Sequence, residues 1–275
     1  MARTHMKDVR ARVAVGAAAA AVAATIWGVT TVVDPGHDTR HQNVSRQSDD
    51  PAKGGDTADP VAPANPGAKV PDGIAHASES GGDAVNITID DGPDPTWTPK
   101  VLDVLKKYDV KATFCMIGPQ AKDHPDLVKK VVAGGHRLCD HTVDHNTGMD
   151  HKPFAFQQQQ ILDAKKMIEE AAGGGARVQY YRAPGGAFTP ESRALAAANG
   201  MRPLGWNVDS KDFSRPGVAA IMNTVKSEMG NGPTVLFHDG GGNRAQTVEA
   251  LDQFLAWLKD QGRPTGFPVF TGPSA

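Results

Sequence analysis

From residue 84 onward, short runs rich in β-branched and aromatic residues alternate with longer stretches of helical period. The predicted strands are 85–89, 112–117, 136–139, 178–181, 202–207, 234–237 and 268–270. Helical stretches such as 97–108 and 246–259 lie between them. The second stretch has one apolar face, formed by Val248, Leu251, Leu255 and Leu258. A strand–helix unit repeated about seven times predicts a parallel α/β fold, either an incomplete (β/α) barrel or an open doubly wound sheet.

The amino-terminal end has the pattern of an export or membrane segment. Residues 1–12 are basic, and residues 13–33 follow without a charged side chain. This length is close to the ~20 residues that a spanning helix needs, whereas the apolar part of a signal peptide usually has ~7–15. The run is Ala-rich and only mildly hydrophobic, so a cleaved signal peptide and a buried soluble helix are the alternatives to an anchor. With the basic segment in the cytoplasm, the chain after residue 33 is predicted to lie outside.

Composition divides the remainder of the chain. Residues 34–83 combine Pro and Gly with polar residues and show no apolar periodicity, which predicts a disordered linker. Residues 84–272 are long enough for one domain that buries roughly 70% of its unfolded-chain surface. The formal net charge of -2 lacks the basic excess that nucleic-acid binding requires. We expect a monomer that has no nucleic-acid partner.

The chain has two cysteines, Cys115 and Cys139, and each lies in a predicted strand. An even number of cysteines in an exported protein favours a disulfide. The two strands follow each other in the chain and would be neighbours in a parallel sheet, which brings the cysteines within reach of each other. The alternative is a pair of buried free thiols.

Polar side chains with catalytic potential follow the predicted strands. They are Asp90 and Asp91 after the first strand, His141 and His145 after the third, Arg182 after the fourth, Asp209 after the fifth and His238 after the sixth. The carboxyl ends of parallel strands meet at one edge, where α/β folds place their active sites. The distribution therefore predicts an enzyme.

Two of these groups suggest a metal site. Two imidazoles four residues apart face the same way if the segment is helical, and they suit a borderline-soft divalent ion. In the pair Asp90-Asp91, alternating strand directions would let one carboxylate bind metal while the other accepts a proton. Considered alone, the aspartates also fit a capped turn and the histidines a solvated helix face.

The segment from Gly82 to Gly272 resembles the polysaccharide deacetylases of carbohydrate esterase family 4, the NodB homology domain. Five ordered motifs carry the resemblance: Thr88-Ile89-Asp90-Asp91-Gly92, His141-Thr142-Val143-Asp144-His145, Tyr181-Arg182-Ala183-Pro184-Gly185, Val208-Asp209-Ser210-Lys211-Asp212-Phe213 and Val235-Leu236-Phe237-His238. The resemblance implies a distorted, incomplete (β/α) barrel of about seven parallel strands.

The resemblance also implies roles for these residues. Asp91, His141 and His145 are expected to bind a divalent metal, Zn²⁺ or else Co²⁺ or another transition metal. Asp90 is expected to be the catalytic base, held ionised by Arg182. His238 is expected to be the catalytic acid, oriented by Asp209 or Asp212.

The substrate pocket departs from the family pattern. Gly185 stands where many members have an aromatic residue, and Phe213 replaces the usual Trp. We expect the backbone N–H of Gly185, beside Pro184, to stabilise the oxyanion, and Phe213 and Trp206 to line the sugar site or, alternatively, to pack in the core.

The expected activity is removal of acetyl groups from an N-acetylated polysaccharide, such as peptidoglycan or a chitin-like chain, outside the cytoplasm. An O-deacetylase acting on acetylated xylan would use the same residues. Two different classes of function also remain open at this point, a non-catalytic glycan- or metal-binding module and a metal-dependent phosphoesterase. The phosphoesterase is disfavoured, because the sequence lacks the carboxylates for a second metal.

Overall fold

The computed structural model describes residues 70–271. The predicted basic segment, the predicted membrane segment and residues 34–69 of the predicted linker lie outside this range. The strands of the described part are β1 (Val85–Asp90), β2 (Thr113–Met116), β3 (Arg137–Asp140), β4 (Val178–Tyr181), β5 (Arg202–Pro203), β6 (Val208–Asp209), β7 (Thr234–His238) and β8 (Thr265–Gly266). Its helices are α1 (Thr98–Lys107), α2 (Gly118–Asp123), α3 (Pro125–Ala133), α4 (Phe154–Ala172), α5 (Pro190–Ala198), α6 (Val218–Glu228) and α7 (Ala245–Asp260).

The strands form one parallel sheet in the order β5-β4-β3-β2-β1-β7-β6, and β8 pairs with β1. The short strands β5 and β6 are the two ends of this order, so the seven strands of the order form a half-barrel rather than a closed barrel, and β8 is an eighth strand beside β1. The predicted incomplete barrel is confirmed, and the alternative of an open doubly wound sheet is wrong. Because every strand runs the same way, all carboxyl ends lie at one edge.

Two predicted strands differ from the structure. The predicted strand 202–207 is split into β5 and β6, because the backbone N–H of Leu204 donates to Tyr181 while that of Asn207 donates to Thr234, on different strands. The predicted strand 268–270 is absent from the described part, and Pro268 forms only an isolated bridge with Ser78. Proline has no N–H to donate to a ladder, which explains why this segment does not extend the sheet.

The packed part of the chain begins before residue 84, the boundary predicted from composition. Ala75 is buried, donates its N–H to Pro203 and accepts from Gly205. Thr234 Oγ1 also donates to the carbonyl of His76. Residues 70–83 therefore belong to the domain in spite of their linker-like composition, since hydrogen bonds of their main chain attach them to β5 and β7.

The hydrophobic core lies between the sheet and the helices. In β1, Val85, Ile87 and Ile89 are at most 1% exposed and belong to the main core cluster, which also contains α1 and α7 side chains. Burying each of these side chains is worth about 1.5–3 kcal/mol. The alternate residues Thr88 and Asp90 point to the opposite, concave side. The core thus fixes which β1 side chains are available to a site.

The predicted disulfide is confirmed. Cys115 and Cys139 are register partners on β2 and β3, their Cα atoms lie 4.1 Å apart, and their sulfur atoms are bonded. Both cysteines are fully buried, together with Tyr180 and Leu204. Within residues 70–271, no helix has the length and apolarity that crossing a bilayer requires.

Candidate active site

The two carboxylates at the end of β1 point to the same place. Asp90 is the last residue of the strand, and Asp91 leaves the extended conformation with a φ of 75°. The expected alternation of side-chain directions therefore does not apply to this pair. Asp90 Oδ2 lies 3.5 Å and Asp91 Oδ1 lies 3.6 Å from the same atom, His141 Nε2.

The two histidines of the second motif lie in a loop rather than in a helical turn, the condition under which their spacing alone would make them face the same way. Left-handed conformations at Thr142 and His145, with φ of 69° and 53°, curl this loop after β3. Gln160 of α4 supports it by accepting from the backbone N–H groups of Val143 and Asp144. The loop brings the rings of His141 and His145 to 5.0 Å between centroids.

Asp91, His141 and His145 have the geometry of a metal site. One ligand atom from each lies within 4.8 Å of the others. Asp91 Oδ1 is buried without a hydrogen-bond partner and lies 3.2 Å from His145 Nε2, so an acceptor is left for a cation. His141 Nδ1 contacts the Arg182 carbonyl at 2.8 Å, which leaves Nε2 for the metal. Burial lowers the pKa of His141 to about 3, and this keeps the imidazole neutral. The residues fit a divalent transition metal.

Arg182 forms a buried ion pair with Asp90. Its guanidinium is fully buried and donates from Nη1 to Asp90 Oδ1 at 2.6 Å and to Thr88 Oγ1 at 3.0 Å. The other nitrogens donate to the carbonyls of Leu204 and Gly205. Burial raises the pKa of Asp90, and the charge of Arg182 opposes the rise without cancelling it. A carboxylate with a raised pKa is a stronger proton acceptor.

His238 ends β7 and is the register partner of Asp90 on β1. Its Nδ1 lies 2.7 Å from Asp212 Oδ1, and its backbone N–H donates to Asp212 Oδ2. Ser210 and Thr247 also donate to the Asp212 carboxylate. Burial lowers the pKa of His238, but the hydrogen bond to Asp212 and the nearby carboxylate charges raise it to about 9. Burial raises the pKa of Asp212, but the donors around it outweigh burial and lower it.

Asp209 does not occupy the orienting position that was predicted for Asp209 or Asp212. Its Oδ2 pairs with Lys211 Nζ at 2.6 Å, and its Oδ1 accepts from the Lys211 backbone N–H. Asp209 ends β6, whereas Asp212 lies in the short 3₁₀ turn that follows. The turn directs Asp212 inward toward His238, and this choice depends on three-dimensional placement rather than on residue type.

The predicted pocket residues differ in exposure. Gly185 is exposed, and its φ of 61° in a 3₁₀ turn favours glycine; a Cβ atom there would lie 3.2 Å from Thr147 Cβ. Pro184 is buried at the base of that turn. Phe213 is 49% exposed, with its ring 5.7 Å from that of His238. Trp206 is half-buried, and the Arg182 guanidinium lies 5.6 Å from its ring. Phe213 is thus the more accessible of the two aromatic rings.

Three further polar residues support the site and were not predicted from the sequence. Gln160 holds the histidine loop, and Thr247 contacts Asp212 from α7. Asp239, directly after His238, is fully buried and accepts from Thr98 Oγ1. Burial raises its pKa to about 7. Adjacency to His238 was the only sequence signal for Asp239, and none existed for the other two.

Several known proteins are similar to this chain in sequence. The family model described as polysaccharide deacetylase matches residues 77–204. A chitooligosaccharide deacetylase of Sinorhizobium fredii is 37% identical over 195 residues, which cover 67% of this chain and 90% of the relative. A peptidoglycan-N-acetylglucosamine deacetylase of Bacillus cereus is 40% identical over 180 residues, which cover 65% of this chain and 83% of the relative.

Solved structures share the fold. The Bc1960 peptidoglycan N-acetylglucosamine deacetylase superposes with a TM-score of 0.65 at 29% identity, covering 70% of this chain and 90% of its own. A pseudoenzyme of family CE4 from Bacillus anthracis gives 0.62 at 29% identity, covering 67% of this chain and 63% of its own. Proteins with and without activity share this fold, so activity has to be argued from the site residues. The chain belongs to the polysaccharide deacetylase family, carbohydrate esterase family 4.

Proposed function

We propose that this protein is a metal-dependent deacetylase that removes acetyl groups from N-acetylglucosamine units of a polysaccharide outside the cytoplasm. One observation carries the proposal. Asp90 and His238 are register partners on neighbouring strands, whose backbones lie about 5 Å apart, so the proposed proton acceptor and proton donor end adjacent strands beside the three candidate ligands. Each also has a buried partner of opposite charge.

The reaction is hydrolysis of an acetamide. Water attacks the carbonyl carbon, the C–N bond breaks, and acetate and a free amine leave. A divalent metal bound by Asp91, His141 and His145 would supply Lewis-acid chemistry that acidifies water and polarises the carbonyl. Asp90 accepts the proton from water, and Arg182 holds the Asp90 carboxylate in place for that transfer.

His238 delivers a proton to the leaving nitrogen. Its pKa of about 9 keeps the imidazole protonated at neutral pH, and Asp212 fixes Nδ1 so that Nε2 is free to donate. The tetrahedral oxyanion needs a hydrogen-bond donor. The backbone N–H of Gly185 takes that role, since its exposed turn lets a substrate approach closely.

The substrate class rests on the relatives and on the location. Chitooligosaccharide and peptidoglycan deacetylases are both similar to this chain, and both names describe N-acetylglucosamine chemistry. The uncharged run at 13–33 favours attachment to the outer side of a membrane, either permanently or before cleavage. Of these two relatives, the one named for peptidoglycan has the higher identity to this chain, 40% against 37%. We therefore propose peptidoglycan as the substrate, in preference to chitin-like oligomers.

The test uses the full-length protein, stripped of metal with a chelator and reloaded with Zn²⁺ or Co²⁺. Acetate release is measured on peptidoglycan, N-acetylglucosamine oligomers and acetylxylan, with Asp90→Asn as the inactive control. Metal-dependent release from the first two substrates is expected. Release from acetylxylan alone would instead identify an O-deacetylase. Tight glycan binding with no release from any substrate would identify a binding module.

A further inference from the structure

Residues 91–92, which follow β1 and include the candidate ligand Asp91, pack against residues 239–240, which follow β7. A Cβ atom on Gly92 would collide with the Asp239 carboxylate, and one on Gly240 would collide with the Asp91 carbonyl. The φ of Gly92 lies outside the left-handed region, so it is the lack of space for a Cβ atom that requires glycine there. The Asp239 backbone N–H also donates to the Asp90 carbonyl at 3.0 Å. The carboxylate of Asp239 therefore lies directly against the turn that presents Asp91.

A chain of hydrogen bonds connects Asp239 to the far end of the same turn. Asp239 Oδ2 accepts from Thr98 Oγ1 at 2.5 Å, and Thr98 Oγ1 accepts from the backbone N–H of Asp94 at 2.7 Å. Asp239 and Thr98 are both fully buried, so water does not compete for the hydrogen bond between them. The segment 91–97 is thus held at Gly92 by contact and at Asp94 by hydrogen bonding.

We propose that Asp239 is a positioning residue that holds Asp91 in the geometry needed to bind metal, acting through Gly92 and Thr98. This inference rests on the proposed metal-dependent function. The φ of 75° at Asp91 is uncommon for a residue with a side chain and persists only where surrounding contacts impose it. Asp239 supplies those contacts from the strand end that also carries His238. It supports the ligand without taking part in the chemistry.

The test measures metal affinity rather than activity alone. Asp239→Ala and Thr98→Val are made in the full-length protein, and Zn²⁺ affinity is measured by competition with a chromogenic chelator. Each change is expected to weaken binding about 10–100-fold, the usual effect of losing an outer partner of a ligand. Asp239→Asn keeps an acceptor for Thr98 and is expected to restore most of the affinity. The double variant is expected to bind Zn²⁺ no more weakly than Asp239→Ala, because both changes break the same hydrogen bond between Asp239 and Thr98.

Thr113→Val is the matched control. Thr113 is also a fully buried threonine, and its Oγ1 has no hydrogen-bond partner within the described residues. The Zn²⁺ affinity of this variant is expected to equal that of the wild type, with folding of every variant checked by circular dichroism. Wild-type affinity in folded Asp239→Ala and Thr98→Val overturns the proposal, and so does an equal loss in Thr113→Val. A wild-type protein that binds Zn²⁺ but releases no acetate refutes the proposed function instead.

Discussion

The proposed catalytic base and the proposed catalytic acid are each paired with a buried residue of opposite charge, but the effect of that partner on the pKa differs between the two. Asp90, the proposed catalytic base, is paired with the buried cation Arg182, and His238, the proposed catalytic acid, is paired with the buried anion Asp212. Burial raises the pKa of Asp90, and the Arg182 charge only moderates that rise. Burial lowers the pKa of His238, but there the partner prevails and the pKa rises to about 9. This difference is what supports the proposed roles of Asp90 as proton acceptor and His238 as proton donor.

Removing the acceptor is expected to have the largest effect. Asp90→Asn keeps the shape of the side chain but cannot take a proton from water, so kcat is expected to fall about 10²–10⁴-fold. Metal content is expected to stay at the wild-type level, because Asp90 is not among the three candidate ligands. Steady-state kinetics and metal analysis test the two statements separately. Retained turnover would remove Asp90 as the base.

Removing Arg182, the cation paired with Asp90, is expected to have the largest effect on the stability of the protein. Arg182→Met leaves a buried carboxylate without its charged partner, and the free energy of unfolding is expected to fall by about 3–5 kcal/mol. Urea denaturation measures the change. Arg177→Met is the control, since the Arg177 side chain is 76% exposed and lies 3.7 Å from the Glu169 carboxylate. An equally small effect in both variants would mean that the protein does not depend on Arg182 to keep Asp90 buried.

The acid side is tested through pH. Only protonated His238 can donate, so wild-type kcat/KM, which reports the ionisation of the free enzyme, is expected to fall as pH rises through about 9. Asp212→Asn removes the contact that raises this pKa, and the alkaline fall is expected to move down by about 1–3 pH units. Asp209→Asn is expected to leave the pH profile in place, since Asp209 pairs with Lys211. The reverse result, a shift with Asp209→Asn alone, would exchange the two assignments.

The smallest expected effect concerns substrate binding beside the acid. Phe213→Ala removes an exposed ring near His238, and KM for a glycan is expected to rise about 2–10-fold with little change in kcat. Phe154→Ala is a comparison of similar exposure, 44% against 49%, on the helix that follows the histidine loop. Equal KM values for wild type and Phe213→Ala would exclude stacking on Phe213.

Sequence reasoning predicted local features better than three-dimensional pairings. The strand β1 and the apolar face of α7 could be predicted from the sequence, because apolar residues repeat along the chain with the geometry of each element. The division of 202–207 between two ends of the sheet was not visible, since it depends on which neighbouring strand each N–H reaches. The packing of residues 70–83 was also missed, because main-chain hydrogen bonds leave no mark on composition.

The sequence by itself determined the parallel α/β fold, the polar residues at the strand ends and the family. Only the tertiary structure decided that Asp212 rather than Asp209 faces His238, that a left-handed turn aims Asp91 beside Asp90, and that Asp239 lies beneath Gly92. The physical reason is the range of the forces involved. Hydrophobic period is local to each element, whereas contacts across loops depend on how the elements meet. The three candidate metal ligands follow two strands, β1 and β3, that only the folded sheet brings together.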